Sequence, residues 1–243
     1  MTEITVDWAQ IETGLLQKMQ AAGRDVMECQ RVLAATGDNI VGELIRDADP
    51  FFEWSHYPDG DVYDRINHGQ FYYHAHPKDA QREWDEHGHF HTFMRPRGMP
   101  DGITPLAIDG VVLPDGPNDA LSHLVAISMD GFGLAQRLFT TNRWVTGEIW
   151  YDADSVVAML DNFIIDHAKP SWPVNRWVSG MMVFYRPQIE QLIRARDLAV
   201  AAWQAKYPDR DVYEDRDLEV TSTIDIRVED QMRAVNTELA RRR

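Results

Sequence analysis

The sequence predicts an α+β fold: an antiparallel β-sheet, curved or closing into a barrel, with N-terminal and C-terminal helices packed around it. Three observations predict it. Apolar residues recur at helical spacing over 7–35, alternation of aromatic or β-branched with polar residues takes over from Phe51, and helical spacing returns after residue 150.

In the opening helix Ile11, Leu15, Leu16 and Met19, then Val26, Met27, Val32 and Leu33, form the apolar stripe, and Gly37 supplies the stop. A short helix over 39–46 follows and Asp49-Pro50 ends it. Strands are expected at 51–57, 70–76, 87–95, 121–130 and 133–142, the last two forming a hairpin about Asp130-Gly131-Phe132-Gly133. Asp152 or Asp154 caps a helix reaching His167, and Pro187 opens a long one through Ile189, Leu192, Ile193, Leu198 and Trp203. A strand at 218–222 and a helix over 228–241 close the chain. No Gly/Ser-rich or Pro-rich linker interrupts it. One domain is therefore expected over 1–243, comprising a helical segment 1–48, a His-rich β region 51–150 and a mainly helical segment 151–243. The echo of Asn142-Arg143-Trp144-Val145-Thr146-Gly147 in Asn175-Arg176-Trp177-Val178-Ser179-Gly180 has unmatched flanks and reads as coincidence or a reused turn.

Composition excludes several function classes. Lys plus Arg number 24 against 39 Asp plus Glu, a formal charge of −15, which opposes nucleic-acid binding. The single Cys29 excludes an internal disulfide and any four-thiolate metal site, and its apolar neighbours mark it as a buried structural thiol. No apolar run approaches the ~20 residues a membrane span needs. The first residues lack the basic and apolar regions of a signal peptide, so a cytoplasmic protein is expected. There is no G-x-G-x-x-G, P-loop, G-x-S-x-G or H-E-x-x-H.

Histidine placement is the informative feature. Seven of the nine histidines, His56, His68, His74, His76, His87, His89 and His91, fall within 36 residues, where even scatter would put about one. Neutral imidazole is the commonest ligand for transition metals. His74 and His76 are two apart, as are His87, His89 and His91, and a strand sends i and i+2 to one face. If the polar segment after His76 returns the chain antiparallel, His76 faces His87, His74 faces His89 and Tyr72 faces His91. Phe71, Tyr73, Ala75, Phe90, Thr92 and Met94 then take the core side. A lone strand histidine is ordinarily a satisfied half-buried residue, and a polar pocket, a pH-sensitive cluster or an exposed sheet face are alternative readings. Several converging imidazoles repel when protonated and need partners when neutral; a metal removes both difficulties.

The metal-ligand candidates are therefore His74, His76, His87, His89, His91 and His123, with His74, His76, His89 and His91 as the preferred inner set. His87 is expected at the strand edge, and His123, on the parity of Val125 and Ile127, as an extra ligand or a core residue. Glu86, with Asp85 and Glu83 beside it, is the carboxylate candidate for ligation or acid–base work. Tyr72 and Arg95 are the other catalytic candidates, for hydrogen bonding and anion holding. Glu53 and His56 line the same cavity. Asp59, Asp61 and Asp64 read as a solvated loop.

Tyr72-Tyr73-His74-Ala75-His76 followed by Glu86-His87-Gly88-His89-Phe90-His91-Thr92-Phe93 resembles an uncharacterised bacterial domain family, which implies no activity. His74-Ala75-His76 with Glu83 partly resembles the cupins, which hold a metal in a β-barrel. The carboxylate spacing departs from that pattern, and the second motif would have to stretch over Gly110, Pro114, Gly116 and His123. The histidine-triad hydrolase pattern differs too, since only Phe90 supplies the apolar interleaving. The leading expectation is a metal-dependent enzyme acting on a small molecule through a mononuclear site, with iron or zinc preferred and manganese, nickel or copper chemically acceptable. A metal carrier or sensor, and a sheet-based interaction protein without metal, are the alternatives. The sequence is silent on oligomeric state.

Overall fold

The computed structural model describes residues 4–77 and 84–242, so Glu83 lies outside the described residues. Helices α1 (Thr13–Ala34) and α2 (Ile40–Ile45) precede five strands, β1 (Tyr57–Tyr63), β2 (Gly69–Ala75), β3 (Gly88–Met94), β4 (Ser122–Met129) and β5 (Ala135–Thr141). Helices α3 (Arg143–Thr146), α4 (Ala153–Met159), α5 (Trp172–Phe184) and α6 (Arg186–Lys206) follow, then strand β6 (Val220–Asp225) and helix α7 (Val228–Arg241). The strands form an open antiparallel sheet in the order β1-β2-β3-β4-β5-β6. The barrel expected as one form of the sheet, and with it the cupin comparison, does not materialise.

The pleat separates two chemistries. Phe71, Tyr73, Ala75, Phe90, Met94, Val125, Ile127 and Leu138 join Met19 and Val26 of α1 and Trp177, Met181 and Phe184 of α5 in the main core. Helix α1 lies close on α5 because Gly180 leaves room for Val26 and Gly23 for Phe184. Cys29 is buried on α1, and burial pushes its thiol up to about 11, so it is inert packing. The opposite sheet face carries the imidazoles.

Register follows the histidine spacing: Tyr72 pairs with His91, His74 with His89 and Ala75 with Gly88. Between β3 and β4 the register shifts, so that His91 pairs with Ala126 but Phe93 with His123. The extra residue on β4 is a β-bulge. It sends both Leu124 and Val125 to the core and returns His123 to the imidazole face, against the simple parity that groups it with Val125.

Three elements differ from expectation. The first strand begins at Tyr57, not at 51, because Gly60 (φ 77°) and Asp61 (φ 60°) make an irregularity that lets pairing continue past Pro58 on this edge strand. Residues 51–56 instead form a strap, tied to β2 by Trp54 N–H donating to Ala75 O (3.0 Å). The helix capped by Asp152 ends at Met159, with a 3-10 turn to Asn162. Helix α5 is not expected from the sequence: its outward positions, 172, 176, 179 and 183, include the apolar Trp172 and Val183, so little polar contrast marks the period. The sequence echo has no structural counterpart: Asn142 caps α3, whereas Asn175 is buried inside α5. No helix among the described residues is long and apolar enough to cross a membrane.

Gly88 lets the two histidine strands approach. A Cβ there would lie 2.6 Å from Tyr73 Oη, 2.8 Å from Ala75 Cα and closer still to His74 O. Gly88→Ala is expected to cost about 1–3 kcal/mol by overpacking against backbone, measured by urea unfolding. A cost below ~0.5 kcal/mol would show that β2 and β3 do not need this approach.

Candidate metal centre

β2 and β3 place His74 and His89 directly opposite one another, and β3 places His91 two residues along on the same face. Their Nε2 atoms converge: His89 Nε2 lies 2.8 Å from His74 Nε2 and 2.9 Å from His91 Nε2. His76, just beyond β2, turns its ring to 4.7 Å from His74 and 4.9 Å from His89, centroid to centroid. One ligand atom from each of His74, His76 and His89 fits within 4.8 Å of the others. His74, His76 and His89 thus form one candidate triad, and His91 touches it through His89. Tetrahedral ligation at metal–nitrogen distances of ~2.0–2.1 Å sets nitrogens about 3.3 Å apart. The Nε2 atoms need to open by only about 0.5 Å to admit an ion.

Glu86 fixes the orientation of this group. Its Oε1 accepts from His89 Nδ1 at 2.9 Å and lies 3.8 Å from His76 Nε2, while Oε2 accepts from Trp84 Nε1 (3.0 Å) and Ser128 Oγ (2.6 Å). A carboxylate on Nδ1–H leaves the Nε2 lone pair of His89 facing inward, the pairing that orients metal-bound histidines. Ser128 pairs with His89 across the β3–β4 ladder.

The row extends inward: His91 Nδ1 meets His123 Nε2 at 3.0 Å. One proton arrangement satisfies the whole chain. If His89 donates through Nδ1 to Glu86, its Nε2 accepts from His74 and His91, and His91 Nδ1 then accepts from His123. Each ring in this arrangement is neutral. Burial lowers the pKa of His91 well below the usual histidine value, aided by the imidazoles of His89, His123, His74 and His56. Burial also lowers His123 to about 3, aided by the Arg196 cation. In this arrangement only His89 presents a bare Nε2 to the centre, and binding an ion would move the proton of a ligating His74 or His91 from Nε2 to Nδ1.

Two buried groups at the inner end had no sequence signal. Glu148 Oε2 accepts from the backbone N–H of His123 at 2.6 Å, and burial pushes its carboxyl up to about 8, against the lowering effect of Arg196. Arg196, also buried, donates to Tyr151 O (2.7 Å) and lies 4.1 Å over the Trp150 ring. Glu148 follows the left-handed Gly147 (φ 64°) that ends α3, a turn no motif marks.

Other sequence candidates lie elsewhere. His87 leaves the row, its Nδ1 2.6 Å from Tyr73 Oη, because it precedes the first residue of β3 and so escapes the strand's alternation. Arg95 is spent on structure, its Nε donating to Gln70 Oε1 (2.6 Å) and its Nη1 to Asn118 O (3.0 Å) and Asp119 (2.9 Å). Asp85 is exposed beside the site. Tyr72 remains at the centre, 5.7 Å from His74 and 5.1 Å from His91 by ring centroid. Burial raises its hydroxyl pKa far above the ordinary tyrosine value, so it stays protonated. Asp59 is exposed as expected, but the other two carboxylates have work: Asp61 Oδ2 accepts from Gln70 Nε2 (2.7 Å) and Oδ1 meets His56 Nδ1 (3.1 Å), while buried Asp64 caps its turn through Ile66 and Asn67.

A histidine held neutral in the fold and free to protonate in the unfolded chain withdraws stability as pH falls. For His123 the contribution is intact above about 6.5 and drains away as pH falls toward its folded value of about 3. The slope is ~1.4 kcal/mol per pH unit. His123→Asn is expected to flatten the pH dependence of metal-free stability between about pH 6 and 4 by about that slope, read by urea unfolding at each pH. An unchanged slope would place the titration elsewhere.

Searches of curated proteins and of solved structures found no match. A family model covers residues 20–226, spanning all six strands and the whole histidine row, from within α1 to the end of β6. The chain belongs to that family, described as Domain of unknown function (DUF6969).

Proposed function

We propose that the protein is a metal-dependent enzyme that acts on a small molecule at one divalent transition-metal ion. The reading rests on the convergence of neutral imidazole nitrogens about His89 Nε2, with Glu86 behind His89 Nδ1. His74 and His89 would hold the ion, with His76 or His91 as the third ligand. His123 would support His91 from behind, as Glu86 supports His89. Three protein ligands leave a position for water or substrate, the pattern of catalytic and not of structural sites.

A thiol-free, imidazole-dominated donor set suits iron or zinc best, and also accepts manganese, nickel or copper. The ion would supply Lewis acidity or activated water. The protein's own groups would do the rest. Tyr72, kept protonated, would donate a hydrogen bond to a substrate oxygen. Glu86, with both oxygens engaged, would orient His89 and not shuttle protons. A cavity of about 330 Å³ reaches His76 and Glu86 and is lined also by Glu53, Asp85 and Asp130. Its acidic wall would draw a hydrated cation toward the imidazoles.

Elemental analysis of untagged protein tests this reading. About one equivalent of a first-row transition metal per chain is expected after dialysis, and uptake should disappear in His74→Ala/His89→Ala while far-UV circular dichroism is kept. Equal uptake by wild type and the double variant would contradict a metal site here. Complete loss of the ion to a mild chelator within seconds would favour a carrier.

A further inference from the structure

The route to the proposed metal position runs over His74. Of His74, His76 and His89, only His74 is not fully buried. Aromatic rings flank its exposed side. The Trp54 indole stands 6.4 Å away, edge-on at 82°, and on the other side His56 and Tyr72 are stacked at 3.6 Å and 7°, with His56 6.1 Å and Tyr72 5.7 Å from His74. Trp54 and His56 both come from the strap, and each has its ring edge-on to His74.

Both flanking rings are held yet partly open. Trp54 packs edge-on against His76 at 4.4 Å while remaining 57% exposed. Its backbone sits at φ 69°, a left-handed conformation uncommon for a bulky residue, and its N–H is bonded to Ala75 O. Phe52 steadies the strap from behind, its N–H donating to Tyr57 Oη (2.6 Å) while that hydroxyl donates to Phe52 O (2.9 Å). His56, with 46% of its side chain exposed, is steered by Asp61; Gln70 donates to Asp61 and is itself held by Arg95. Exposed aromatic surface that the fold keeps fixed beside a metal-type cluster is suited to binding, since flat rings gain by stacking and edge contacts.

We propose that Trp54 and His56 form an aromatic clamp over His74, and that the substrate is a small planar, π-rich molecule carrying an oxygen or nitrogen donor for the metal. The clamp rests on the metal-enzyme reading above. Trp54 and His56 act as positioning residues, setting the plane in which the donor atom reaches the ion.

The test uses full-length protein loaded with cobalt(II), whose visible bands report ligand exchange at the ion. Acetate and benzoate are titrated as a matched pair, since both offer the same carboxylate and only benzoate has a ring. Wild type is expected to bind benzoate about tenfold more tightly than acetate. Trp54→Ala should erase most of that ratio with acetate affinity unchanged, Trp54→Phe should retain much of it, and His56→Ala should reduce it. Cobalt bands with no preference for benzoate in the wild type, or an equal loss of both ligands in Trp54→Ala, would overturn the clamp and leave the metal reading standing. Absence of cobalt bands would sink the metal reading and the clamp with it.

Discussion

Everything about this site follows from keeping a row of imidazoles uncharged inside a sheet. His76, His89, His91 and His123 are buried and His74 nearly so, on strands whose other face is the hydrophobic core. Protonating one of them would bury a charge in a poorly solvating medium, and protonating two would place like charges a few ångströms apart. The fold answers with a directed hydrogen-bond chain from His123 through His91 to His89 and Glu86, in which each ring needs a single proton. Electronic character follows from that constraint: each neutral ring keeps one lone pair, already turned inward at His89 Nε2, and a change of tautomer would turn that of His74 or His91 toward an ion.

The constraint also explains the surroundings. Glu86 is the one carboxylate among the described residues bonded directly to a ring of the row, and Trp84 and Ser128 donate to its second oxygen. At the inner end Glu148, raised to about 8, can sit beside His123 without imposing a full negative charge at neutral pH. Phe139 packs edge-on against His89 at 5.0 Å and Trp84 packs on Phe139 at 5.0 Å, excluding water from that flank. The strap side, at His74, and the cavity at His76 and Glu86 stay open among the described residues.

Period-2 spacing made the centre of this arrangement legible. Parity alone puts His74, His76, His89 and His91 on one face and Phe71, Tyr73 and Phe90 on the other, and the pairing of Tyr72 with His91 and His74 with His89 follows. What parity misses is where alternation breaks. His123 returns to the row only because β4 bulges, His87 leaves it because β3 begins one residue later, and Trp54 and His56 reach it from a strap that reads as a strand. Arg95 shares the row's parity yet faces Gln70 and Asp119, since a long side chain at a strand end follows its partners. Glu148 and Arg196 come from segments remote in sequence and carry no motif. The helices show the same division: amphipathic α1 and α7 are visible as stripes, while the outward face of α5 carries Trp172 and Val183 beside Arg176 and Ser179 and contrasts little with its buried side.

Long-range proton–nitrogen NMR of the histidine rings, recorded on metal-free protein and through a zinc titration, addresses the central claim most directly. The account predicts that metal-free His89 carries its proton on Nδ1 with a bare Nε2, and that zinc shifts the Nε2 resonances of His74 and His89 together with a third ring, His76 or His91, at a single stoichiometric endpoint. A metal-free His89 protonated on Nε2, or ring resonances that do not respond to zinc, would contradict it.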